Sequence, residues 1–241
     1  MLHLSANEFL LKLKALQQKA ELEKVRKFFR FEGMESKFVG VRMAHVFALA
    51  KEYQLMALKE VEKLLRSDYY EARLGAVSIM DFQARNKKAT SAHKKELYEL
   101  YLKNHKFINN WDLVDRSAPY VVGGYLNDKP RKILYKLAKS KNVWERRTAI
   151  VATYYFIRQN DVDDTFKIAA ILANDKHDLI NKAVGSWVRE AGKRDKQQLI
   201  SFLNDHSESL SAETLRLAVE NLEKTQKELF TRKKKNNHIN K

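Results

Sequence analysis

Apolar residues recur every three or four positions through much of this chain. Leu10, Leu11, Leu13, Leu16, Ala20 and Val25 form one such set, Val41, Val46, Leu49, Ala50 and Tyr53 a second, and Leu58, Val61, Leu64 and Leu65 a third. That period belongs to amphipathic helices rather than to strands, whose side chains alternate. Short polar breaks such as Glu32-Gly33-Met34-Glu35-Ser36 and Arg66-Ser67-Asp68 separate the sets, and breaks of that length join helices that stack antiparallel. Seven glycines and two prolines in 241 residues leave few sites for the positive-φ turns of a hairpin-rich sheet fold. The pattern predicts an all-α protein.

A longer period lies above the helical one. Arg42-Met43-Ala44-His45-Val46, Arg73-Leu74-Gly75-Ala76-Val77, Arg147-Thr148-Ala149-Ile150-Val151, Lys182-Ala183-Val184-Gly185-Ser186 and Arg216-Leu217-Ala218-Val219-Glu220 each set a basic residue before small and aliphatic ones. Asp115-Arg116-Ser117-Ala118-Pro119 fills the equivalent slot in the middle, and successive spacings are 31, 42, 32, 35 and 34 residues. Such a period fits a two-helix unit repeated in line, with the extra length attributed to a polar loop from Asn86 to His93. The expected architecture is a right-handed, curved α-solenoid of HEAT-like two-helix repeats. Residues 1–228 form one domain in this reading, and 229–241 a disordered basic tail. Leu2, Leu4 and Phe9 at one end, and Leu222, Leu229 and Phe230 at the other, are candidates to cover the solenoid ends, which suits a monomer.

Composition narrows the class of function. With 44% apolar and 32% charged residues the chain is neither disordered nor membrane-like. It has no apolar run near the roughly 18 residues of a membrane span and no export signal pattern, so a soluble cytoplasmic protein is expected. The absence of cysteine excludes disulfides, thiolate metal sites and a cysteine nucleophile. Asp161, Asp163 and Asp164 lack the glycine and closing glutamate of a calcium loop and suit a helix start instead. The net charge of +16 calls for an anionic partner. If Arg42, Arg73, Arg147, Lys182 and Arg216 occupy one point in successive repeats, stacking lines them along a basic concave groove suited to a nucleic-acid backbone. Packing against neighbouring acids or helix C-termini is the alternative for part of the set.

One segment breaks the basic pattern. Asn109-Asn110-Trp111-Asp112-Leu113-Val114-Asp115 sets an indole and a carboxylate four residues apart, on one face of a helix. A carboxylate beside an aromatic ring, in a protein built to attract phosphate, suggests chemistry on nucleic acid rather than adhesion alone.

Three motifs in order carry a family resemblance. Trp111-Asp112-Leu113-Val114-Asp115, then Trp144-Glu145-Arg146-Arg147-Thr148-Ala149-Ile150, then His177-Asp178-Leu179-Ile180-Asn181-Lys182-Ala183-Val184-Gly185 followed by Trp187 and Arg189-Glu190, resemble the AlkD-type DNA alkylation repair family of HEAT-like-repeat glycosylases. The resemblance spans about residues 5 to 225. It implies hydrolysis of the N-glycosidic bond of N3- or N7-alkylated purines in double-stranded DNA, with the base still stacked and with no metal or redox cofactor. It makes Asp115 and Trp111 the catalytic pair: Asp115 stabilises the developing oxocarbenium ion and positions water, and Trp111 is an aromatic wall against the sugar. Arg147 becomes a phosphate clamp, with Trp187, Arg42, Arg73, Lys182 and Arg189 as further DNA-binding residues. The chemistry is self-consistent, because an alkylated purine is cationic and leaves readily, so a carboxylate near the sugar matters more than a strong acid.

The chain also departs from the family pattern. Ser186 sets Trp187 one place later than in relatives, a rotation of about 100° on a helix. Ser211-Ala212-Glu213 replaces a Pro-Arg-Thr element, and Arg42-Met43-Ala44-His45 a proline-containing one. The displaced Trp187 keeps a second reading open, a non-catalytic HEAT-like DNA-binding paralogue that recognises damaged or branched DNA.

Overall fold

The structure is a computed structural model describing residues 4–28 and 36–230. The expectations for Leu2, for most of the Glu32 to Ser36 break and for residues 231–241 of the basic tail lie outside those residues. Among the described residues there is no strand, only one isolated bridge between Lys37 and Tyr69. The helices are α1 (Ala6–Ala15), α2 (Lys19–Phe28), α3 (Met43–Glu52), α4 (Leu58–Leu65), α5 (Tyr70–Arg85), α6 (Ser91–Lys103), α7 (Trp111–Ser117), the single turn α8 (Gly124–Leu126), α9 (Lys132–Ala138), α10 (Val143–Ala152), α11 (Tyr154–Ile157), α12 (Asp163–Ile171), α13 (Asp178–Gly192), α14 (Lys196–His206) and α15 (Ala212–Ala218). Residues 224–230 form a further helix, which the expected tail boundary at 228 falls within. Contacts group the chain into two compact units, 1–125 and 126–241. Each unit is built from helices paired in chain order, the helical-repeat fold that the sequence predicts.

In the first unit α5 is the central helix, packed by α3, α4 and α7. Thirteen of its 16 residues are buried, so its surroundings are protein on nearly every side and it shows no single apolar stripe. In α1 the core positions are Ala6, Phe9 and Leu13, which share one helical face, while Leu11 and Leu16 are exposed. The periodicity found the helix and chose part of the wrong face. The loop after α5 is also shorter than expected, because Thr90 accepts the His93 N–H and starts α6 at Ser91.

Glu60 of α4 anchors the start of α1 by accepting the Ala6 N–H at 3.0 Å. This bond and the Lys63 ammonium hold its carboxyl below the ordinary value of 4.5. A carboxyl depressed on folding adds stability that is present above its unfolded pKa and lost as pH falls through the folded one. Urea denaturation at a series of pH values should therefore show stability falling below about pH 4.5, with a shallower fall in Glu60→Gln.

In the second unit α13 is central, with Ile180, Ala183, Val184, Val188 and Ala191 turned inward, and α10, α12, α14 and α15 packed on it. The contact with α15 depends on Gly185. A Cβ there would sit 2.8 Å from the Thr214 carbonyl oxygen and 3.1 Å from its Cα, and the Thr214 hydroxyl is tied to the Asn181 carbonyl at 3.0 Å. Backbone cannot swing aside as a flexible side chain would. Gly185→Ala should therefore cost about 1–3 kcal/mol despite the better helix propensity of alanine, read as a lowered urea midpoint. At the far end Leu222 and Phe230 are buried and Leu229 is exposed.

Candidate active site

The Trp-Asp motif is helix α7. Asn110 caps it by accepting the Trp111 N–H at 2.7 Å, which fixes where the first turn begins. The next residues then divide by face: Asp112, Leu113 and Val114 are buried, while Trp111, Asp115 and Arg116 remain partly exposed. Trp111 and Asp115, four residues apart, are thus on the side that α7 turns outward. The helix does not end cleanly. Pro119 has no N–H for the Asp115 carbonyl, and the chain widens into a π-helical stretch, Ala118–Gly123, in which Gly124 N–H bonds the Pro119 carbonyl. Such widened turns collect at functional sites and re-aim the side chains beside them.

Two buried acids stand behind this face: Asp112, which the sequence suggests as a helix-start or repeat-packing acid, and Glu71 of α5, which no sequence signal singled out. Tyr70 of α5 donates its hydroxyl to Asp112, whose other oxygen accepts the Leu113 N–H at 2.8 Å. Asp112 is therefore a packing acid that ties α7 to α5. Next to Tyr70, the Glu71 carboxylate accepts Gly40 N–H at 2.7 Å, Val39 N–H at 2.9 Å and Val41 N–H at 3.4 Å. Gly40 makes that turn possible, with φ of 88° and no room for a Cβ against Leu22. Trp111 and Asp112 also line a cavity of about 280 Å³ walled by Val25, Val41, Tyr70 and Leu74, with Arg42 and Lys24 at Glu21. No sequence signal links Tyr70 to Asp112, which stand 42 residues apart.

A third acid, Asp81, is buried in α5. It takes Arg85 through both oxygens at 2.8 and 2.9 Å and Arg116 at 3.2 Å. Burial nevertheless pushes its carboxyl above the ordinary value, against the pull of both guanidiniums. Arg116, the neighbour of Asp115, is thereby committed to Asp81 and to the faces of Phe82 and Phe47.

The basic residues share a register but not an exposure. Asp115, Arg147, Lys182 and Arg216 are each the fifth residue of their helix, as the repeat spacing implied; Arg73 is the fourth of α5 and Arg42 precedes α3. Lys182, Arg216 and Arg42 are exposed. Arg73 is only 4% exposed and donates to the Ser67 carbonyl at 2.8 Å and the Ser36 hydroxyl at 2.6 Å. The expectation that Arg73 faces a groove is corrected: α5 is surrounded, and the side chain is held by one carbonyl and one hydroxyl of the preceding loops. Arg147 is 7% exposed, with one guanidinium nitrogen 2.6 Å from the Leu179 carbonyl, and its neighbour Arg146 is held by Asp175. Arg216 is bidentate on Glu213, Arg42 bonds Glu21 at 3.2 Å, and the partly exposed Arg189 pairs with Glu190 and Glu220.

Trp187 is partly exposed and lies on Tyr154, ring centroids 4.7 Å apart and planes 35° apart. Asp161 and Asp164 converge on Arg131 at 2.7 and 2.6 Å, a guanidinium site rather than a cation site. Among the described residues no helix is long and apolar enough to cross a membrane.

A sequence model of the family described as "DNA alkylation repair enzyme" matches residues 9–222. No curated protein matches. Among solved structures, a predicted DNA alkylation repair enzyme from Enterococcus faecalis is similar with a TM-score of 0.66 and 16% identity, over 86% of this chain and 97% of that one. AlkD2 from Streptococcus mutans is similar with a TM-score of 0.53 and 18% identity, over 85% and 99% respectively. These identities bear on the fold, and the family match covers most of the sequence. The chain belongs to the DNA alkylation repair enzyme family.

Proposed function

We propose that this protein is a DNA glycosylase that hydrolyses the N-glycosidic bond of N3- and N7-alkylated purines in duplex DNA. The observation that carries the reading is the outward pairing of Trp111 and Asp115 on α7, beside an inward face of Asp112, Leu113 and Val114. In this mechanism the alkylated base, already cationic, departs without a strong general acid. The Asp115 carboxylate stabilises the oxocarbenium-like sugar and orients water toward the anomeric carbon, and the Trp111 ring excludes bulk solvent on one side. Neither step calls on a metal or a redox group.

DNA contacts fall to exposed Arg42 and Lys182, to the Trp187 face, and to Arg147, which acts from beside the first turn of α13, where it holds the Leu179 carbonyl.

A second reading is a DNA-binding relative without catalysis, and the stacking of Trp187 on Tyr154 favours it, since that indole is already occupied on one side. One experiment separates the two: incubation with methylated duplex DNA, followed by chromatography for free 7-methylguanine and 3-methyladenine. Release above the spontaneous rate supports the glycosylase. Salt-sensitive binding without release supports the DNA-binding relative.

A further inference from the structure

A second recess in the first unit lies at the turn between α5 and α6, and no residue of the proposed chemistry lines it. It encloses about 390 Å³ and is lined by Leu55, Met56, Leu58, Phe82, Lys88 and His93 among others. Its wall is held by Gln83, whose amide donates to the Gln54 carbonyl at 2.9 Å and the Met56 carbonyl at 2.8 Å. The Gln83 carbonyl oxygen faces His93 Nε2 at 2.9 Å, and because the amide nitrogen is already committed, that ring nitrogen carries the proton. The lip is fixed too: Lys88 N–H bonds the Asn86 side chain at 2.9 Å, and Thr90 caps α6. A cavity held open by such a network needs little reordering to accept a ligand.

Its chemistry is two-sided. Leu55 stands at the rim 78% exposed, a large apolar side chain with no cover in this unit. Residues 82–95 contain Arg85, Lys87, Lys88, Lys94 and Lys95 and no acid. Arg85 is taken by Asp81 and Lys95 by Glu99. Among the described residues Lys87, Lys88 and Lys94 form no ion pair; Lys88 lines the recess, and Lys87 and Lys94 each adjoin a lining residue in the chain.

We propose that this recess docks an acidic protein segment carrying one aromatic or aliphatic anchor. The anchor fills the socket formed by Leu55, Met56, Leu58 and Phe82, and the carboxylates meet Lys87, Lys88 and Lys94. The same lysines would also attract a phosphate backbone, but phosphate makes no use of an apolar socket or of an exposed leucine at its rim. A short segment of this kind suits a site that recruits the protein to a partner rather than one that does chemistry.

The test is fluorescence anisotropy of the full chain with a fluorescein-labelled synthetic peptide, a run of aspartates ending in phenylalanine. Two control peptides replace the aspartates by asparagine or the phenylalanine by alanine, and unmodified duplex DNA runs alongside. Wild-type protein should bind the peptide, and either control change should weaken binding by about tenfold or more. Leu55→Asp, at an exposed position, and Lys87→Glu with Lys88→Glu should each do the same, while duplex binding falls only in the lysine variant. The proposal is overturned if wild-type protein ignores the peptide. It is equally overturned if binding follows charge alone, unmoved by Leu55→Asp and by loss of the phenylalanine, in which case the loop is a phosphate-binding strip. Neither outcome bears on base release from methylated DNA, so the glycosylase reading stands or falls separately.

Discussion

Asp115→Asn should lower release of 7-methylguanine and 3-methyladenine from methylated duplex DNA by at least about tenfold at matched DNA occupancy, a loss of about 1.4 kcal/mol of transition-state stabilisation. Asparagine keeps the size of the side chain and its place on α7 while removing the negative charge. The sugar acquires positive charge only as the bond breaks, so binding of the intact duplex should change little and the single-turnover rate should carry the effect. Asp112→Asn is the internal control. Asp112 is buried against Tyr70 and the Leu113 N–H, and its replacement should appear first as a lowered denaturation midpoint. Equal rates for wild type and Asp115→Asn would remove the carboxylate from the mechanism. Loss of rate in both variants with stability preserved would mean that the two acids act together.

The second large effect concerns stability. Glu71→Ala should destabilise the protein by about 3 kcal/mol or more, because a buried acceptor that serves three backbone N–H groups is removed and each unsatisfied donor costs about 1–3 kcal/mol. Glu71→Gln should cost less. It keeps one carbonyl oxygen for the Gly40 and Val41 N–H groups and turns an amide toward Val39, which already donates. Urea denaturation measures both, and a Glu71→Ala midpoint equal to wild type would contradict the assignment. Because Glu71 and Val41 also line the cavity beside Trp111, partial loss of this turn should disturb the Trp111 fluorescence environment before global unfolding.

The fold class was legible because helical order is written locally. Apolar spacing and the shortage of glycine and proline are properties of short segments, and each can be read without knowing what packs where; the Thr90 cap, equally local, is the one that shortened the expected loop. The same holds for the repeat register, which puts Asp115, Arg147, Lys182 and Arg216 at the fifth position of their helices. Exposure was not legible to the same degree. Arg73 and Arg42 head similar stretches, yet one is buried against the Ser67 carbonyl and the Ser36 hydroxyl and the other is exposed. The difference comes from neighbours: α5 is enclosed by three helices, whereas Arg42 precedes α3 at the edge of a cavity.

Sequence alone therefore determined that the chain is helical, repetitive and basic, and that a carboxylate and an indole share a helix face. Those follow from period, composition and a spacing of four residues, all of which act within one or two turns. Tertiary structure decided how far each acid is covered: Asp112 is buried against α5, whereas Asp115 stays partly exposed. Asp112 and Asp115 are the same residue type, three positions apart. Only the arrival of Tyr70 from a helix 42 residues away turns one into a brace, because desolvating a carboxylate requires donors that the local sequence does not contain.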